Sequence, residues 1–259
     1  MKILVCVKQV PESDAPIRID AEAGWIKTAD ISEFKMNRLD ECAIEEAVQI
    51  KEAAADTRIE AVTVGPSRSA AVIKRSIGMG ANFGIHIMTE SEKYLSAFEI
   101  AAMIAEFARD RGYDLILTGA MSEDNMQGQV GPMIAGRLGL PWATSVILEK
   151  ISADEKTVYV EREIEGGSRA ALKLPLPAVL TIQSGINTPR YPSLSNLLRA
   201  NRKALEIIQA GDLAQDSSPE VVVRIVYPQK TRSGTVLKGT EEEKAAQLVR
   251  ILREKALLP

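Results

Sequence analysis

The stretch Leu117-Thr118-Gly119-Ala120-Met121-Ser122-Glu123-Asp124-Asn125-Met126-Gln127-Gly128-Gln129-Val130-Gly131-Pro132 passes from an aliphatic strand end, through a small and polar loop, into the start of a helix. Ligands of open parallel sheets bind at such strand ends, and the free N–H groups of a helix start suit a phosphate. Gly128 and Gly131 permit close backbone approach, while Ser122, Asp124, Asn125 and Gln129 offer directed hydrogen bonds. A plain connection ending in a capped helix accounts for the same residues about as well, so the pattern alone leaves both readings open.

Upstream, short runs rich in Val, Ile and Leu (Ile3–Val7, Ile59–Val64, Gly84–Met88 and Asp114–Thr118) read as strands apolar on both faces. Helical patterns separate them. Leu39, Ala43 and Ala47 form one apolar row beside Ile44 and Val48, and Phe98, Ala102 and Ala105 form another in a helix expected from about Glu92 to Arg109, stopped by Gly112. This alternation predicts an α/β fold, a doubly wound and mostly parallel Rossmann-like sheet with helices on both faces. Between Gln9 and Lys35 the rhythm breaks at Pro11 and Pro16, and the pieces Ile17–Ile19 and Trp25–Lys27 around Ala23-Gly24 predict an inserted β-hairpin. Asn37 opens the helix that follows and is most simply its N-cap, with Asp40 and Glu41 favourable to the dipole.

Downstream of Leu140, Ala143–Lys150, Lys156–Ile164 and Ala170–Leu174 read as a meander, followed by a strand at Ala178–Gln183. Ser193 is placed to cap a helix running to about Leu205. The tail is expected to hold a strand at Val221–Val226 and a last helix opened by Thr240 and Glu243 in capping-box spacing. The chain thus divides into an α/β nucleotide-binding domain over residues 1–190 and, over 191–259, a loop, a helix and a C-terminal arm.

Thirty-two basic residues against 35 acidic ones give a formal net charge of -3, which carries no nucleic-acid footprint. With two cysteines, Cys6 and Cys42, no CxxC pair and one histidine, His86, a structural zinc site, an iron–sulfur cluster or a Ser-His-Asp triad lacks its ligands. His86 lies mid-strand and reads as a core residue. Glu163 and Glu165 share one face of a solvated strand, a poor setting for acid–base work. No GxGxxG fingerprint follows a strand, and no GxxxxGK[ST] loop occurs. The opening Met1–Lys8 is too short and too soon charged for a secretory signal, and no apolar run reaches membrane length. A cytoplasmic protein without direct membrane insertion is expected.

Five further stretches carry a resemblance that runs nearly end to end. Ile3-Leu4-Val5-Cys6-Val7-Lys8-Gln9-Val10-Pro11 and Met36-Asn37-Arg38-Leu39-Asp40-Glu41 resemble the start and first helix of the electron transfer flavoprotein beta subunits. More specific are Val160-Glu161-Arg162-Glu163-Ile164-Glu165-Gly166-Gly167, Leu176–Thr181, and Pro189-Arg190-Tyr191 with Ser193-Leu194, which are similar to that family's signature.

The resemblance implies a heterodimer with an alpha subunit that carries the redox FAD, while the beta chain holds a structural AMP and catalyses nothing alone. The arm over 191–259 would pack on that partner. Carried over, Cys6, Asn37, Arg38, Leu39, Asp40, Val64 and the loop from Gly119 to Val130 (Gly119, Ser122, Asp124, Asn125, Met126, Gln127, Gly128, Gln129, Val130) would form the nucleotide pocket, the phosphate near Gly128 to Val130. Tyr191 to Arg202 resembles the loop that engages acyl-CoA or related dehydrogenases, with Leu194 as its apolar anchor and Glu163 as a docking carboxylate. Electrons would pass on to a quinone-linked or other acceptor oxidoreductase.

A bifurcating branch of the family binds a second, redox-active FAD in the beta chain, and the run Gln129-Val130-Gly131-Pro132 matches that branch. Met126 and Gln127, bulkier than the residues expected there, favour AMP, and both nucleotides stay open. A universal-stress-type ATP-binding module would need a glycine-rich phosphate loop that this chain lacks.

Overall fold

The computed structural model describes residues 1–20, 25–54, 56–90, 94–213, 218–227, 234–255 and 257. Strands β1 (Lys2–Cys6), β2 (Gln9–Pro11), β3 (Ile19–Asp20), β4 (Trp25–Ile26) and β5 (Phe34–Met36) lead to helix α1 (Arg38–Ala53). Then come β6 (Arg58–Gly65), α2 (Ala70–Met79), β7 (Phe83–Met88), α3 (Ala97–Ala108), β8 (Leu115–Gly119) and α4 (Val130–Leu138). The rest comprises β9 (Trp142–Ile151), β10 (Thr157–Glu163), β11 (Arg169–Pro175), β12 (Ala178–Ile182), α5 (Leu194–Arg202), β13 (Glu206–Gln209) and α6 (Glu241–Glu254).

Nine strands form one sheet in the order β11-β10-β9-β12-β8-β1-β6-β7-β13. From β9 to β13 along this order all neighbours run parallel, and β10 and β11 extend the β9 edge antiparallel. Alternate residues of each strand serve opposite faces. Ile3 and Val5 of β1 join Leu115 and Leu117 of β8 in a core with α1 and α2. Leu4 and Cys6 face the other way, with Ile116, into a core with α3 and α4. Helices on both faces explain why these strands carry no polar face. The chain leaves β1 through α1 for β6 on one side and later returns through α3 to β8 on the other. The gap beyond the ends of β1 and β8 is therefore the topological switch point, the default ligand crevice of such sheets.

The expected elements up to residue 213 are present with small shifts. The inserted hairpin consists of two antiparallel ladders, β2 with β5 and β3 with β4; its expected turn at Ala23-Gly24 lies outside the described residues. The helix expected from Glu92 starts at Ala97, because Ser96 and Glu99 form a reciprocal capping box there; residues 91–93 lie outside the described residues. The helix capped by Ser193 ends at Arg202 rather than Leu205, which frees the chain to form β13, a strand that short mixed polarity hid in the sequence.

Val221–Val226 is not a strand: it takes no place in any ladder, and Val221, Val223 and Val226 are exposed. The chain's compact unit runs from Met1 to Arg224, past the expected division at residue 190, because β13 pairs with β7 and Ala200 of α5 is buried. A second unit, Ile225–Pro259, contains α6, whose capping box joins Thr240 and Glu243 as expected. Among the described residues no helix is long and apolar enough to cross a membrane.

Candidate functional site

A cleft of about 760 Å³ opens at the switch point. Its floor is the end of β1 (Cys6, Val7, Lys8) and of β8 (Thr118, Gly119), one wall is the loop into α4, and the other is the apolar side of α3 with Leu95, Ile100 and Ile104. Two glycines let the helices come this close. A Cβ on Gly131 would stand 2.4 Å from Thr181 Cγ2 and 3.0 Å from Thr118 Oγ1, so α4 starts against the strand ends only as glycine. A Cβ on Gly119 would stand 2.3 Å from Asp40 Oδ1. Gly128 adopts φ +62, in the left-handed region glycine enters without cost.

Asp40 organises the floor. Its Oδ2 accepts the N–H of Lys8 at 2.7 Å and its Oδ1 that of Gly119 at 3.0 Å. Burial pushes this carboxyl up to about 7, against the pull of donors from Asn37, Lys8 and Gly119. Burial and the nearby Asp40 likewise raise the Cys6 thiol, so Cys6 is an inert wall and not a nucleophile. Asn37 holds the N-cap position of α1, but its side chain does not cap that helix. It reaches across to the β8–α4 loop instead, donating to Met121 O and accepting the N–H of Glu123, each at 3.0 Å. Lys8 Nζ lies 2.7 Å from Asp124 Oδ1 and 3.3 Å from Ser122 Oγ. Helix α4 has no side-chain cap, which leaves its first turn facing the cleft as a place for an anion.

Of the residues expected at the pocket, Cys6, Asn37, Asp40, Val64, Gly119, Ser122, Asn125, Gln127, Gly128, Gln129 and Val130 line this cleft. Arg38, Leu39, Asp124 and Met126 do not: Arg38 is exposed, Leu39 backs Gly119, and Asp124 turns to Lys8. Met126, at φ +54, is 70% exposed, so its bulk does not narrow the space for a ligand. The α3 wall was not singled out as part of the pocket, because an apolar helix stripe reads the same whether it lines a core or a ligand cavity; the strand end Val7-Lys8, which the sequence points at the same crevice, does line it.

A second cleft of about 700 Å³ adjoins the first, sharing Lys8, Val64, Leu95, Ile100 and Asn125 with it. Trp25 and Tyr94, with centroids 4.5 Å apart, and Phe34 supply its aromatic lining.

The expected docking residues fall in two places. Leu194 is the first residue of α5 and 72% exposed; Tyr191 is 84% exposed with Arg75 over its ring. Leu197 turns inward to Gly78, so the apolar residues of α5 serve two directions. Glu163 ends β10, near the opposite edge of the sheet from β7 and the α2–α5 packing. The segment before α5 is clamped to α1: Arg190 pairs with Glu45 at 2.9 Å and with Glu52 at 2.6 Å.

A doubly wound, mostly parallel sheet with helices on both faces and a glycine-lined cleft at its switch point defines a Rossmann-like α/β protein. The family model described as the electron transfer flavoprotein domain matches residues 27–213. The electron transfer flavoprotein subunits beta of Bos taurus and Homo sapiens are each 33% identical, over 98% of this chain and 98% of theirs. The mitochondrial subunit beta of Oryza sativa subsp. indica is 32% identical over 93% of this chain and 95% of its own. The chain belongs to the electron transfer flavoprotein family, among its beta subunits.

Proposed function

We propose that this chain is the beta half of a two-chain electron carrier, and that its switch-point cleft holds AMP in a structural role. The observation that carries the reading is the meeting of Gly131, the uncapped start of α4 and the ends of β1 and β8 in one cleft with an apolar wall. A purine fits against Leu95, Ile100 and Ile104, with the phosphate toward the N–H groups of Gln129 and Val130 and the polar side chains of Ser122, Asn125 and Gln127. The redox flavin is carried mainly by an alpha subunit and supplies the electron transfer; this chain shelters it and binds partners. In this reading the chain is a carrier subunit and the redox chemistry belongs to the flavin of the heterodimer.

The exposed Tyr191, Leu194 and Leu198 are the proposed contact with acyl-CoA or related dehydrogenases, and Glu163 a second docking contact. A quinone-linked or other oxidoreductase is the acceptor. The apolar, exposed Val221 and Val223, and helix α6 with exposed Leu248 and Val249, are proposed to pack on the alpha subunit.

A second reading has an observation in its favour. The adjoining aromatic cleft gives a dinucleotide room for its second half, and Met126 does not obstruct it, which supports a bifurcating-type FAD in this chain. Coexpression with the alpha subunit, followed by denaturation and counting of released nucleotides, decides between them. One FAD and one AMP per heterodimer is the expected result; two FAD establishes the second reading, and flavin with no nucleotide assignable to this chain overturns both.

A further inference from the structure

Lys8 stands where the two clefts meet. Among the described residues lining the first cleft it is the only cationic side chain, and Asp40 the only carboxyl. Its backbone is fixed on both sides: the N–H donates to Asp40 at 2.7 Å, and the carbonyl accepts the N–H of Asn37 at 3.0 Å. Its ammonium is not fixed in this way. It ends a flexible stem and is held by the β8–α4 loop, through Asp124 Oδ1 at 2.7 Å and Ser122 Oγ at 3.3 Å.

Asp124 does not depend on that contact. Its Oδ1 also accepts the N–H of Asn125 at 2.8 Å. The two side chains are 31% and 24% exposed, and an ion pair so open to water adds little stability of its own. The pair is therefore cheap to break and regain. A phosphate arriving at the start of α4 meets a different balance. The buried carboxyl of Asp40 stands in the same cleft, and the N–H dipoles of α4 provide only partial positive charge. A cation moved onto the phosphate offsets that repulsion, while Asp124 is left to water and Asn125.

We infer that Lys8 is an exchangeable latch, which closes the β8–α4 loop through Asp124 and passes to a phosphate oxygen when a nucleotide enters. The chemistry recognised is a phosphate ester anion, whether the monoester of AMP or the pyrophosphate of FAD. The inference rests on the nucleotide reading of the cleft, and the test separates the two.

Heterodimers of the wild type, Lys8→Met and Asp124→Asn, cleared of nucleotide by dialysis at high salt, are titrated calorimetrically with adenosine, AMP and FAD. Lys8→Met weakens whichever phosphorylated ligand the wild type binds by about tenfold or more, and leaves adenosine unchanged. Asp124→Asn removes the competitor without touching β1 and tightens the same ligand by about two- to fivefold. An unchanged ratio of phosphorylated ligand to adenosine in Lys8→Met overturns the latch while leaving the cleft a nucleotide site. So does a loss in Asp124→Asn as large as in Lys8→Met, which makes Asp124 a ligand-positioning group and not a competitor. Should Lys8→Met fail to assemble, the Asp124→Asn titration decides alone. A wild type that binds neither AMP nor FAD sinks the nucleotide reading itself.

Discussion

Asp40 Oδ1 accepts the backbone N–H of Gly119 at 3.0 Å while its Oδ2 accepts that of Lys8 at 2.7 Å, so one side chain of α1 ties together two strand ends that the chain separates by more than a hundred residues. Both acceptors are needed. In Asp40→Asn the amide keeps one carbonyl oxygen and points its NH2 at the remaining N–H, setting donor against donor in a buried place. The variant is expected to lose about 1–3 kcal/mol in denaturant unfolding and to retain less nucleotide through gel filtration. Wild-type values for both would refute this role for Asp40.

The two glycines of α4 make a matched pair. Gly131→Ala places a methyl group 2.4 Å from Thr181 Cγ2, and α4 must withdraw from the strand ends. A cost of about 1–3 kcal/mol is expected, together with loss of nucleotide. Gly136→Ala, in the same helix, meets nothing within 4 Å and should gain about 0.5–1 kcal/mol. Equal effects of the two substitutions, measured by thermal unfolding and nucleotide content, would dissociate the cleft from the close approach of α4.

How much of this was legible in the sequence follows from the range of each interaction. β1, β6, β7 and β8 were readable to within a residue or so, because a strand buried on both faces shows as an uninterrupted aliphatic run. Ser193 and Thr240 cap their helices through residues three positions on, a spacing the sequence displays; Ser96 does the same, but the apolar pattern running on upstream of it put that helix's start at about Glu92. Asn37 has the same appearance, yet its side chain serves a loop some 85 residues away, and no local pattern distinguishes the two uses. Lys8 and Asp124 meet only because β1 and β8, far apart in the chain, pair side by side in the sheet. Met126 was assigned to the pocket by position, but a non-glycine residue at positive φ cannot be read from neighbouring residues, and that backbone turn is what sends its side chain outward.

Stability should vary with pH through the buried carboxyl pair Glu46 and Glu149. Burial and the neighbouring Glu46 push Glu149 up to about 8, and burial raises Glu46 as well; Asn187 donates to Glu46 at 2.7 Å. The folded chain thus keeps a proton that the unfolded chain, with an ordinary value of 4.5, has already released. The stabilising contribution is complete below that ordinary value and is lost as pH rises through the folded one. Between pH about 4.5 and about 8 the wild type should lose up to about 1.4 kcal/mol per pH unit relative to Glu149→Gln, which cannot titrate. Denaturant midpoints of the two proteins across this range check it: parallel curves would mean that Glu149 does not hold the proton.

The clamp of Arg190 on Glu45 and Glu52 gives α5 a fixed base, from which Leu194 projects 72% exposed. An exposed leucine contributes little to the fold, so Leu194→Ala should shift stability by less than about 0.5 kcal/mol. Buried in a dehydrogenase it contributes about 1.5–3 kcal/mol, which corresponds to a ten- to hundredfold weaker encounter in the variant. Such a contact is strong enough to select a partner and weak enough for rapid release. The variant heterodimer should keep its flavin spectrum and its reduction by a small chemical reductant, while reduction by the dehydrogenase shows a raised KM. Arg190→Lys keeps the charge but loses the two-pronged grip, and should weaken the same encounter without removing the leucine. A dehydrogenase KM unchanged in both variants would take the docking surface away from α5.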